Sequence, residues 1–508
     1  MKYMRRFPWI WGFIMITVVL YVLAPLFHKG FYISDDGEWM VIRLSAFYQS
    51  LAENQFPVRL LGRLNNSYGY PVANFLYPGF LYIGSVLHLF GLSFVDSVKL
   101  ILGSSVIGAS VFVFLFLRRS FAREPSIVGT IMFLGSPYLL YDLYKRGSVG
   151  EVLAFLPASM LLYASSASLY SLVPLASAFL IVSHNTLALL LGVPIGVYIA
   201  TRADRVRLFW GVLHGVGLAS FFWIPALVEK TFVKFDAISI SDPAQYFIGA
   251  QNFWLLGLPV LVALLYTTWS YKNQKKEAAI VSGILMLGYF FALPISWMFW
   301  GTQTLSKFVQ FPYRFLSITV LFGPWIVAYV YTKLGGPRRV LVVGVWAIFW
   351  VIASYIGMQN IIHIDRPIGY YTTNEGTTTV HDEYMPKWVT KPPLSRALNA
   401  YEFISGDAMV VANSVNTQLI DISISAKQQS MLQINKLYYP GWGVTVDGVL
   451  VPVEYRQGDG TMRVVVPQGE HRIVANFRET MLRFAADVLS GIFGIIYLWS
   501  IFSKKRHH

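Results

Sequence analysis

The chain of 508 residues contains no cysteine, and only 13% of its residues are charged. The missing thiols exclude disulfide bonds, thiolate catalysis, zinc–cysteine sites and iron–sulfur clusters. The scarcity of charge accompanies 55% apolar residues and a mean hydropathy of +0.53, which are values typical of a protein that crosses a membrane many times. Repeated apolar runs therefore define the architecture, and a domain count from length alone does not apply.

The net charge of +14 does not indicate a nucleic-acid partner. The lysines and arginines occur in short clusters between apolar runs, which is the pattern of membrane topology. No basic stretch with interleaved aromatic residues is long enough to follow a phosphate backbone. We therefore expect membrane lipids, and no nucleic acid, around this chain.

The apolar runs predict about twelve membrane-spanning helices. The first run follows a basic N-terminus and is not followed by a small-residue cleavage site, so we expect a retained signal anchor. The run at 171–183 is short for a span and has to be tilted or shielded. The predicted spans are 9–27, 97–117, 126–144, 150–168, 171–183, 185–201, 207–228, 254–270, 278–298, 313–333, 339–357 and 483–502.

Six basic clusters orient these spans. Under the positive-inside rule each cluster lies in the cytoplasm, and so do both termini. An even number of crossings then has to separate Arg6 from Arg118, so the apolar segment 74–91, interrupted by Pro78, is expected to be a re-entrant or juxtamembrane helix on the outer face. The alternative is a true span and one misassigned cluster. The clusters are Lys2/Arg5/Arg6, Arg118/Arg119/Arg123, Arg202/Arg205/Arg207, Lys272/Lys275/Lys276, Lys333/Arg338/Arg339 and Lys504/Lys505/Arg506.

The pattern divides the chain into three parts. A transmembrane domain is expected over 1–358, with its first outer loop at 33–91, and a last transmembrane helix over 481–503. Between them, residues 359–480 are polar and rich in Thr, Val and Ser, which indicates a folded domain on the outer side. Alternating apolar residues predict strands over Met409–Ala412, Leu419–Ser425 and Met431–Leu437.

Two hairpins are predicted in this outer domain. Asp447-Gly448, inside "VTVDGVLVPV", is the pair that a type I′ turn favours. Met462–Val466 and Arg472–Phe477 are expected to pair through a turn at Gln468–Glu470. The spacing favours an antiparallel β-sandwich of about six to eight strands. The proline-rich segment Arg366–Ala400 is expected to be irregular.

The first outer loop carries two adjacent acids directly after the first span. Successive residues of a helix point about 100° apart, so Asp35 and Asp36 cannot serve one site identically. One can face a site while the other caps or orients the following helix. The alternative is that both acids only cap that helix.

Several cations share the expected outer face with these acids. Arginine offers a planar fork that matches phosphate oxygens. A carboxylate base beside such a phosphate site fits glycosyl transfer from a lipid-linked sugar phosphate, because the acid accepts a proton from the acceptor hydroxyl while the cations stabilise the departing phosphate. The alternative is that each arginine reaches the membrane interface or pairs with Glu38, Glu53, Asp142 or Glu151. The candidates are Arg59, Arg63, Arg146, Arg314 and Lys307.

Other polar and aromatic residues complete the candidate set. His184 and Asn185 either form an ordinary hydrogen-bonded helix end or contact a substrate hydroxyl or phosphate. Asp35, Asp36 and Glu38 with the distant His184 form only a weak divalent-cation candidate, and no residues have secure metal-ligand spacing. The polar-aromatic run that contains Asn74 and Tyr77, with Tyr68, Tyr70 and Phe75, could flank a sugar or an isoprenoid tail. Tyr438, Tyr439 and Trp442 either stack on a sugar or start the core of the β-domain.

Several motifs resemble a known group of proteins. "SDDGEWMVIRL", "GYPVANFLYP", "KRGSVGE", "SHN" and "QFPYR" resemble prokaryotic multi-spanning glycosyltransferases of the GT-C type. "YYPGWGVTVDGVLVPV" and "VPQGEHRIVANF" resemble the C-terminal β-domain of the YfhO-type branch. The resemblance implies a GT-C-like polytopic α-helical membrane protein with outer-face juxtamembrane helices and a C-terminal β-sandwich.

The resemblance also implies a reaction. A polyprenyl-phosphate-linked donor would give its sugar, usually with inversion, to a glycan, lipid or protein acceptor on the outer face of a prokaryotic plasma membrane. Asp36 is the implied base and Asp35 the second choice, while Arg146 and Arg314 are implied phosphate ligands, with Glu151 and His184 shaping the pocket. Met40 stands where related motifs often place histidine, which argues against a metal site or an Asp–His relay at that spot.

Two other classes of function compete with this interpretation. A transporter or flippase for a lipid-linked glycan would grip phosphate with the same arginines but make no bond. Such a protein should show polar groups deep within its spans and often an internal repeat, and the sequence shows no clear repeat. A non-catalytic scaffold whose β-domain binds glycan or a partner is the remaining alternative.

Overall fold

The computed structural model describes residues 8–237, 242–270, 275–301 and 304–505. A helical bundle carries one antiparallel β-domain, which lies in the chain between the helices that end at Met358 and begin at Met481. The helices are α1 (Pro8–Leu23), α2 (Gly37–Ala52), α3 (Gly79–Leu89), α4 (Phe94–Leu117), α5 (Arg123–Leu134), α6 (Pro137–Leu140), α7 (Val149–Ser166), α8 (Leu172–Ser183), α9 (Asn185–Ala200), α10 (Arg205–Leu218), α11 (Ser220–Glu229), α12 (Leu258–Trp269), α13 (Lys276–Ala292), α14 (Trp297–Trp300), α15 (Thr304–Val309), α16 (Leu316–Lys333), α17 (Gly336–Met358), α18 (Ile368–Thr372) and α19 (Met481–Lys505).

Within the described ranges, seven helical segments are long and apolar enough to cross a membrane. Two further helix pairs, bent by 67° and 82°, are each either a broken span or a re-entrant loop, and three of four shorter apolar helices lie where the sequence predicts the remaining spans. The number that cross the bilayer remains a prediction. The seven are Trp9–Phe27, Phe94–Leu117, Arg123–Arg146, Val149–Ser166, Pro312–Lys333, Gly336–Met358 and Met481–Ser503, and the bent pairs are Arg205–Leu218 with Ser220–Phe232 and Lys276–Ala292 with Pro294–Trp300.

The fourth short helix is α3, in the segment expected not to cross. Its eleven residues span about 17 Å at 1.5 Å per residue, roughly half of a hydrocarbon core about 30 Å thick. It packs on α2, where a Cβ at Gly84 would collide with Leu44. A helix of this length does not reach across a bilayer by itself, which agrees with the expectation that this segment does not cross; the expectation stays a prediction.

Burial orders the bundle from its centre outward. In Pro312–Lys333, 94% of the most apolar stretch is buried, whereas the corresponding value for Met481–Ser503 is 6%. Helix α16 therefore forms the centre of the bundle. Apolar residues on the outer helices, such as Leu341 on α17 and Ile495 on α19, are exposed and have the character of lipid-facing side chains.

The β-domain consists of two antiparallel sheets around one apolar core. The strand orders are β4-β5-β10-β7-β8 and β3-β6-β9, and Ile422, Leu432, Val464 and Ile473 from both sheets share the core. The predicted strands at 409–412, 419–425 and 431–437 are confirmed as β4, β5 and β6. The strands are β3 (Tyr401–Ser405), β4 (Ala408–Val415), β5 (Leu419–Ala426), β6 (Ser430–Leu437), β7 (Trp442–Val446), β8 (Val449–Val451), β9 (Thr461–Val466) and β10 (Gly469–Phe477).

One predicted hairpin is confirmed and the other is wrong. Asp447 (φ 51°) and Gly448 (φ 82°) occupy the left-handed region that a type I′ turn requires, between the paired strands β7 and β8. By contrast, β9 pairs with β6, and β10 pairs with β5 and β7. The two strands lie in opposite sheets, so that Val464 and Ile473 face the same core from its two sides. The short link after Val466 crosses between the sheets.

A two-stranded sheet between distant parts of the chain brings the first outer loop beside the start of the segment 359–480. Strands β1 (Phe31–Tyr32) and β2 (His363–Ile364) pair antiparallel. After β2 the chain forms only the short helix α18 before β3 begins at Tyr401, as predicted for the proline-rich segment. This segment therefore lies next to the loop that carries the two adjacent acids.

Candidate functional site

Backbone contacts fix the two adjacent acids at the start of α2. The amide of Asp35 donates to the carbonyl of Lys145 at 3.0 Å, and that of Asp36 donates to the carbonyl of Arg146 at 2.8 Å. Asp36 occupies the N-cap position of α2, yet its side chain makes no capping hydrogen bond. A Cβ at Gly37 would collide with Phe31, so glycine permits this close approach. The Asp36 carboxylate is therefore not used as a helix cap.

A buried ion cluster lies directly behind these acids. The Oε1 atom of Glu151 accepts hydrogen bonds from Arg146 Nη1 at 2.6 Å and from Arg314 Nε at 2.8 Å. Asp142 Oδ1 accepts a second bond from Arg146 Nη1, at 2.8 Å. Arg146 Nη2 lies 4.0 Å from Asp36 Oδ2. Two buried acids thus orient Arg146 so that its other nitrogen faces the half-exposed Asp36.

His184 connects this cluster to α9. Its Nδ1 accepts a hydrogen bond from the amide of Leu187 at 3.1 Å, which caps the helix. Its Nε2 lies 3.8 Å from Glu151 Oε1, and the ring of Tyr77 lies 4.5 Å from the imidazole ring. The helix-end interpretation therefore describes one nitrogen, which caps α9, while contact of this residue with a substrate hydroxyl or phosphate stays a prediction.

The cavity has a volume of about 750 Å³ and joins a charged region to an apolar one. Its apolar arm follows α9 from Asn185 to Ile199, a distance of about 20 Å at 1.5 Å per residue. A Cβ at Gly192 or Gly196 would meet no atom within 4 Å, so this wall of the arm is open. The charged lining residues are Asp35, Asp36, Arg43, Arg146, Lys230, Lys307, Arg314 and Glu383, and further apolar ones are Leu180, Leu189, Ile195, Val212, Val216, Phe222 and Trp223.

Most of the predicted site residues meet at this cavity. Glu151 lies behind the wall and holds two of its arginines. The predicted residues that line the cavity are Asp35, Asp36, Phe75, Tyr77, Arg146, His184, Asn185, Lys307 and Arg314.

Three predicted residues lie elsewhere and hold the fold together. Arg59 donates to Glu479 at 3.1 Å and to Asp487 at 2.8 Å, next to the start of α19. Arg63 donates to Ser45 Oγ at 2.7 Å, and Asn74 donates to Glu229 at 2.7 Å. Arg59 therefore forms ion pairs, as the alternative to a phosphate ligand proposed, although its partners are Glu479 and Asp487.

Sequence reasoning missed Arg43 and the cavity residues of the later segment. Arg43 follows Asp36 and Met40 at the i, i+4 and i+7 positions of α2, and this helical spacing is a signal that could have identified it. Thr378, Glu383 and Tyr384 also line the cavity, but they belong to an irregular segment whose position the sequence does not indicate.

The weak divalent-cation candidate is not assembled. Glu38 accepts hydrogen bonds from Arg366 Nε at 2.6 Å and from the Tyr371 hydroxyl at 3.2 Å. In the part of the chain that the structure describes, no three His, Asp or Glu side chains are grouped so that they could hold a metal ion.

The aromatic motif of the β-domain is mainly a core feature. Tyr439 and Trp442 are 1% and 5% exposed and belong to the apolar core between the sheets. Tyr438 is half-buried, and its ring stacks on Tyr455 with centroids 3.9 Å apart. The core interpretation therefore holds for two of the three residues.

Surrounding protein affects the acidity of the first acid. Desolvation is the largest effect on Asp35 and raises its pKa above the usual range. The positive charges of Lys145 and Arg146 partly offset this increase, whereas the neighbouring Asp36 carboxylate adds to it.

The fold and cavity define a helical membrane protein with an amphipathic cavity beside an antiparallel β-domain. No family model matches the chain, and no curated protein sequence matches it. Among solved structures it is similar to the arabinofuranosyltransferase AftD from Mycobacteria, with 15% identity, a TM-score of 0.46 and coverage of 67% of this chain and 26% of that chain. It is also similar to the archaeal oligosaccharyltransferase AglB from Archaeoglobus fulgidus, with 11% identity, a TM-score of 0.43 and coverage of 73% of this chain and 56% of that chain.

The chain thus spans about a quarter of AftD and about half of AglB. Both neighbours are sugar transferases by name, the type of protein that the motifs resemble. At this level of similarity the neighbours assign neither a reaction nor a substrate to this chain, and the YfhO-type branch remains a prediction.

Proposed function

We propose that this protein is a membrane-embedded, inverting glycosyltransferase that uses a polyprenyl-phosphate-linked sugar. The observation that supports this most is the cavity, which joins carboxylates and arginines to an apolar arm about 20 Å long. A polyprenyl-phosphate sugar has the same division, since a sugar and a phosphate lie at one end of a hydrocarbon chain. In this proposal the isoprenoid lies along Gly192 and Gly196 of α9.

The phosphate would lie at the arginine-rich end. Arg146 and Arg314 are buried and already share Glu151, so their positions are fixed before a substrate binds. A fixed guanidinium fork suits the charge that grows on a departing phosphate. Lys307 and Arg43 line the same cavity and add positive charge.

Asp36 would act as the general base. Its carboxylate accepts the proton of an acceptor hydroxyl while that oxygen forms a bond to the anomeric carbon of the sugar. The bond from the anomeric carbon to the phosphate oxygen breaks, and the phosphate keeps the electron pair. Attack from the face opposite the phosphate inverts the anomeric centre. The uncapped position of Asp36, 4.0 Å from Arg146, supports this role, and Asp35 is the second candidate.

The orientation of the protein in the membrane is also part of the proposal. The basic clusters favour cytoplasmic termini and place the cavity and the β-domain on the extracytoplasmic side of a prokaryotic plasma membrane. Membership of the YfhO-type branch, which the β-domain motifs suggest, belongs to the same proposal. The acceptor is a glycan, a lipid or a protein.

The test uses the full-length protein in lipid nanodiscs with a panel of labelled polyprenyl-phosphate sugars and soluble and lipid acceptors. A new glycosidic product with the inverted anomeric configuration is expected, and NMR of the product determines that configuration. Movement of the labelled donor across the bilayer of liposomes that carry the protein, without formation of a new bond, would contradict the proposal and favour a flippase. Donor binding with neither product nor translocation would favour a scaffold.

A further inference from the structure

A short segment after α18 forms one wall of the charged end of the cavity. We call residues 377–384 the strap. Thr378, Thr379, Val380, Glu383 and Tyr384 of the strap line the cavity together with Asp36 and Arg146. The strap is more than 300 residues from Asp36 and more than 200 residues from Arg146 in sequence, so its place at the cavity comes from the tertiary structure alone.

Two side chains of the segment expected to be the first outer loop, those of Arg43 and Tyr70, hold the strap at both ends. Arg43 Nε donates to Thr378 Oγ1 at 2.9 Å, and its Nη2 donates to the Thr378 carbonyl. The Tyr70 hydroxyl contacts Thr379 Oγ1 at 2.9 Å and accepts a hydrogen bond from the Tyr384 amide at 3.0 Å. One tyrosine hydroxyl therefore binds the strap on both sides of its turn.

The backbone of the strap is also strained. Thr378 (φ 62°) and Asp382 (φ 51°) lie in the left-handed region, which is unfavourable for a β-branched residue in particular. Such conformations persist where the surrounding structure imposes them, and they concentrate at binding sites. The contacts of Arg43 and Tyr70 provide that constraint here.

Glu383 has an incomplete set of hydrogen bonds. Its Oε2 atom is shielded from solvent and has no hydrogen-bond partner among the described residues. A shielded carboxylate oxygen without a partner costs free energy, so the Glu383 carboxylate is held at the cavity wall with part of its hydrogen-bonding capacity unused. The carboxylate therefore points to a ligand that brings hydrogen-bond donors.

Aromatic rings line the same cavity as this carboxylate. The Tyr384 ring stacks on Phe75, with centroids 5.3 Å apart, and on Phe235, with centroids 5.7 Å apart. Trp39, which is 41% exposed, lines the same cavity. An ionised carboxylate accepts hydrogen bonds only, and its two oxygens suit neighbouring hydroxyl groups, while an aromatic ring suits the apolar face of a sugar.

We propose that Glu383 binds hydroxyl groups of a carbohydrate acceptor and that the strap determines which acceptor glycan is used. The inference rests on the proposed function. The sugar of the donor is attached directly to an anionic phosphate, which is disfavoured beside Glu383 and is assigned to Arg146 and Arg314, so the hydroxyl-rich partner of this carboxylate is the acceptor. This names a glycan as the acceptor class, in preference to a protein or a lipid without sugar.

Direct binding measurements test the proposal. Calorimetry on the full-length protein in nanodiscs would use a panel of free disaccharides and trisaccharides (lactose, maltotriose and mannotriose) and, separately, undecaprenyl phosphate. Glu383→Ala should weaken oligosaccharide binding about 10- to 100-fold, the value of one or two hydrogen bonds to a charged group, and leave undecaprenyl phosphate binding unchanged. Glu383→Gln, which keeps one acceptor oxygen, should lose less than Glu383→Ala.

The control is His381→Ala, an exposed residue of the strap outside the cavity lining, which should change neither affinity. The inference is overturned if oligosaccharides of the panel do not bind the wild type, or if Glu383→Ala leaves their affinity unchanged. It is also overturned if an alkylamine binds and Glu383→Gln abolishes that binding, because the carboxylate would then recognise an ammonium group. Failure of undecaprenyl phosphate to bind the wild type would instead count against the proposed function.

Discussion

The junction between the β-domain and the helical bundle depends on one buried acid, and its removal gives a sharp prediction. Glu229, at the end of α11, accepts hydrogen bonds from Arg483 Nε at 2.9 Å and from Arg483 Nη2 at 2.8 Å. It also accepts bonds from Asn74 at 2.7 Å and from the Tyr439 hydroxyl at 3.0 Å. Glu229 and Arg483 are 2% and 0% exposed.

Replacing Glu229 with leucine should lower the free energy of unfolding strongly. The buried Arg483 guanidinium would lose its counter-charge, which costs about 3–5 kcal/mol. Asn74 and Tyr439 would each lose a hydrogen bond, at about 1 kcal/mol apiece. The double variant Glu229→Leu/Arg483→Met removes the orphaned charge, so it should be about 3 kcal/mol more stable than Glu229→Leu alone.

Urea unfolding in detergent micelles, followed by tryptophan fluorescence, measures these differences. Two results would refute the reasoning. One is a loss of less than about 1 kcal/mol for Glu229→Leu, since a buried charge would then be tolerated unpaired. The other is a double variant whose loss equals the sum of the two single losses, which would mean that the two side chains are not energetically coupled.

Two further predictions concern the apolar arm and the β-domain. Gly196→Leu should weaken undecaprenyl phosphate binding at least about tenfold without destabilising the protein, because its side chain would enter the open arm. Gly283→Leu, at an equally open position outside the cavity, is the control; equal effects of both variants would contradict the lipid arm. Burial lowers the pKa of Lys436 to about 8, whereas the unfolded chain holds that proton up to about pH 10.4, so stability should rise with pH between these values. Unfolding measurements at pH 7 to 10 should show that rise in the wild type and a flatter profile in Lys436→Met, and identical profiles would contradict the assignment.

The sequence predicted the helices well because long apolar runs are a strong signal. It did not predict their breaks: α10 and α11 meet at Ala219 with a bend of 67°, within the mostly apolar run that the sequence predicts as one span over 207–228. The hairpin at Asp447-Gly448 was predictable because its turn needs particular residues. The pairing of β9 was not, since alternation identifies a strand but not the sheet to which it belongs.

The candidate site was predictable where short motifs carry charge close to the membrane. Asp36, Arg146 and Arg314 come together as the motif pattern suggested. Arg59 has the same appearance in sequence but pairs with Glu479 and Asp487 at the base of α19, a contact more than 400 residues away along the chain. The strap could not be found for the same reason, because Thr378 and Arg43 are separated by 335 residues.

The most direct test of the central claim compares Asp36→Asn with Asp35→Asn in sugar transfer from a polyprenyl-phosphate sugar. Asp36→Asn removes the proposed base and keeps the shape of the side chain, so the transfer rate should fall about 10²- to 10⁴-fold while the protein stays folded and still binds undecaprenyl phosphate. Asp35→Asn should retain substantially more activity. Transfer by Asp36→Asn near the wild-type rate would contradict the role of Asp36 as the base.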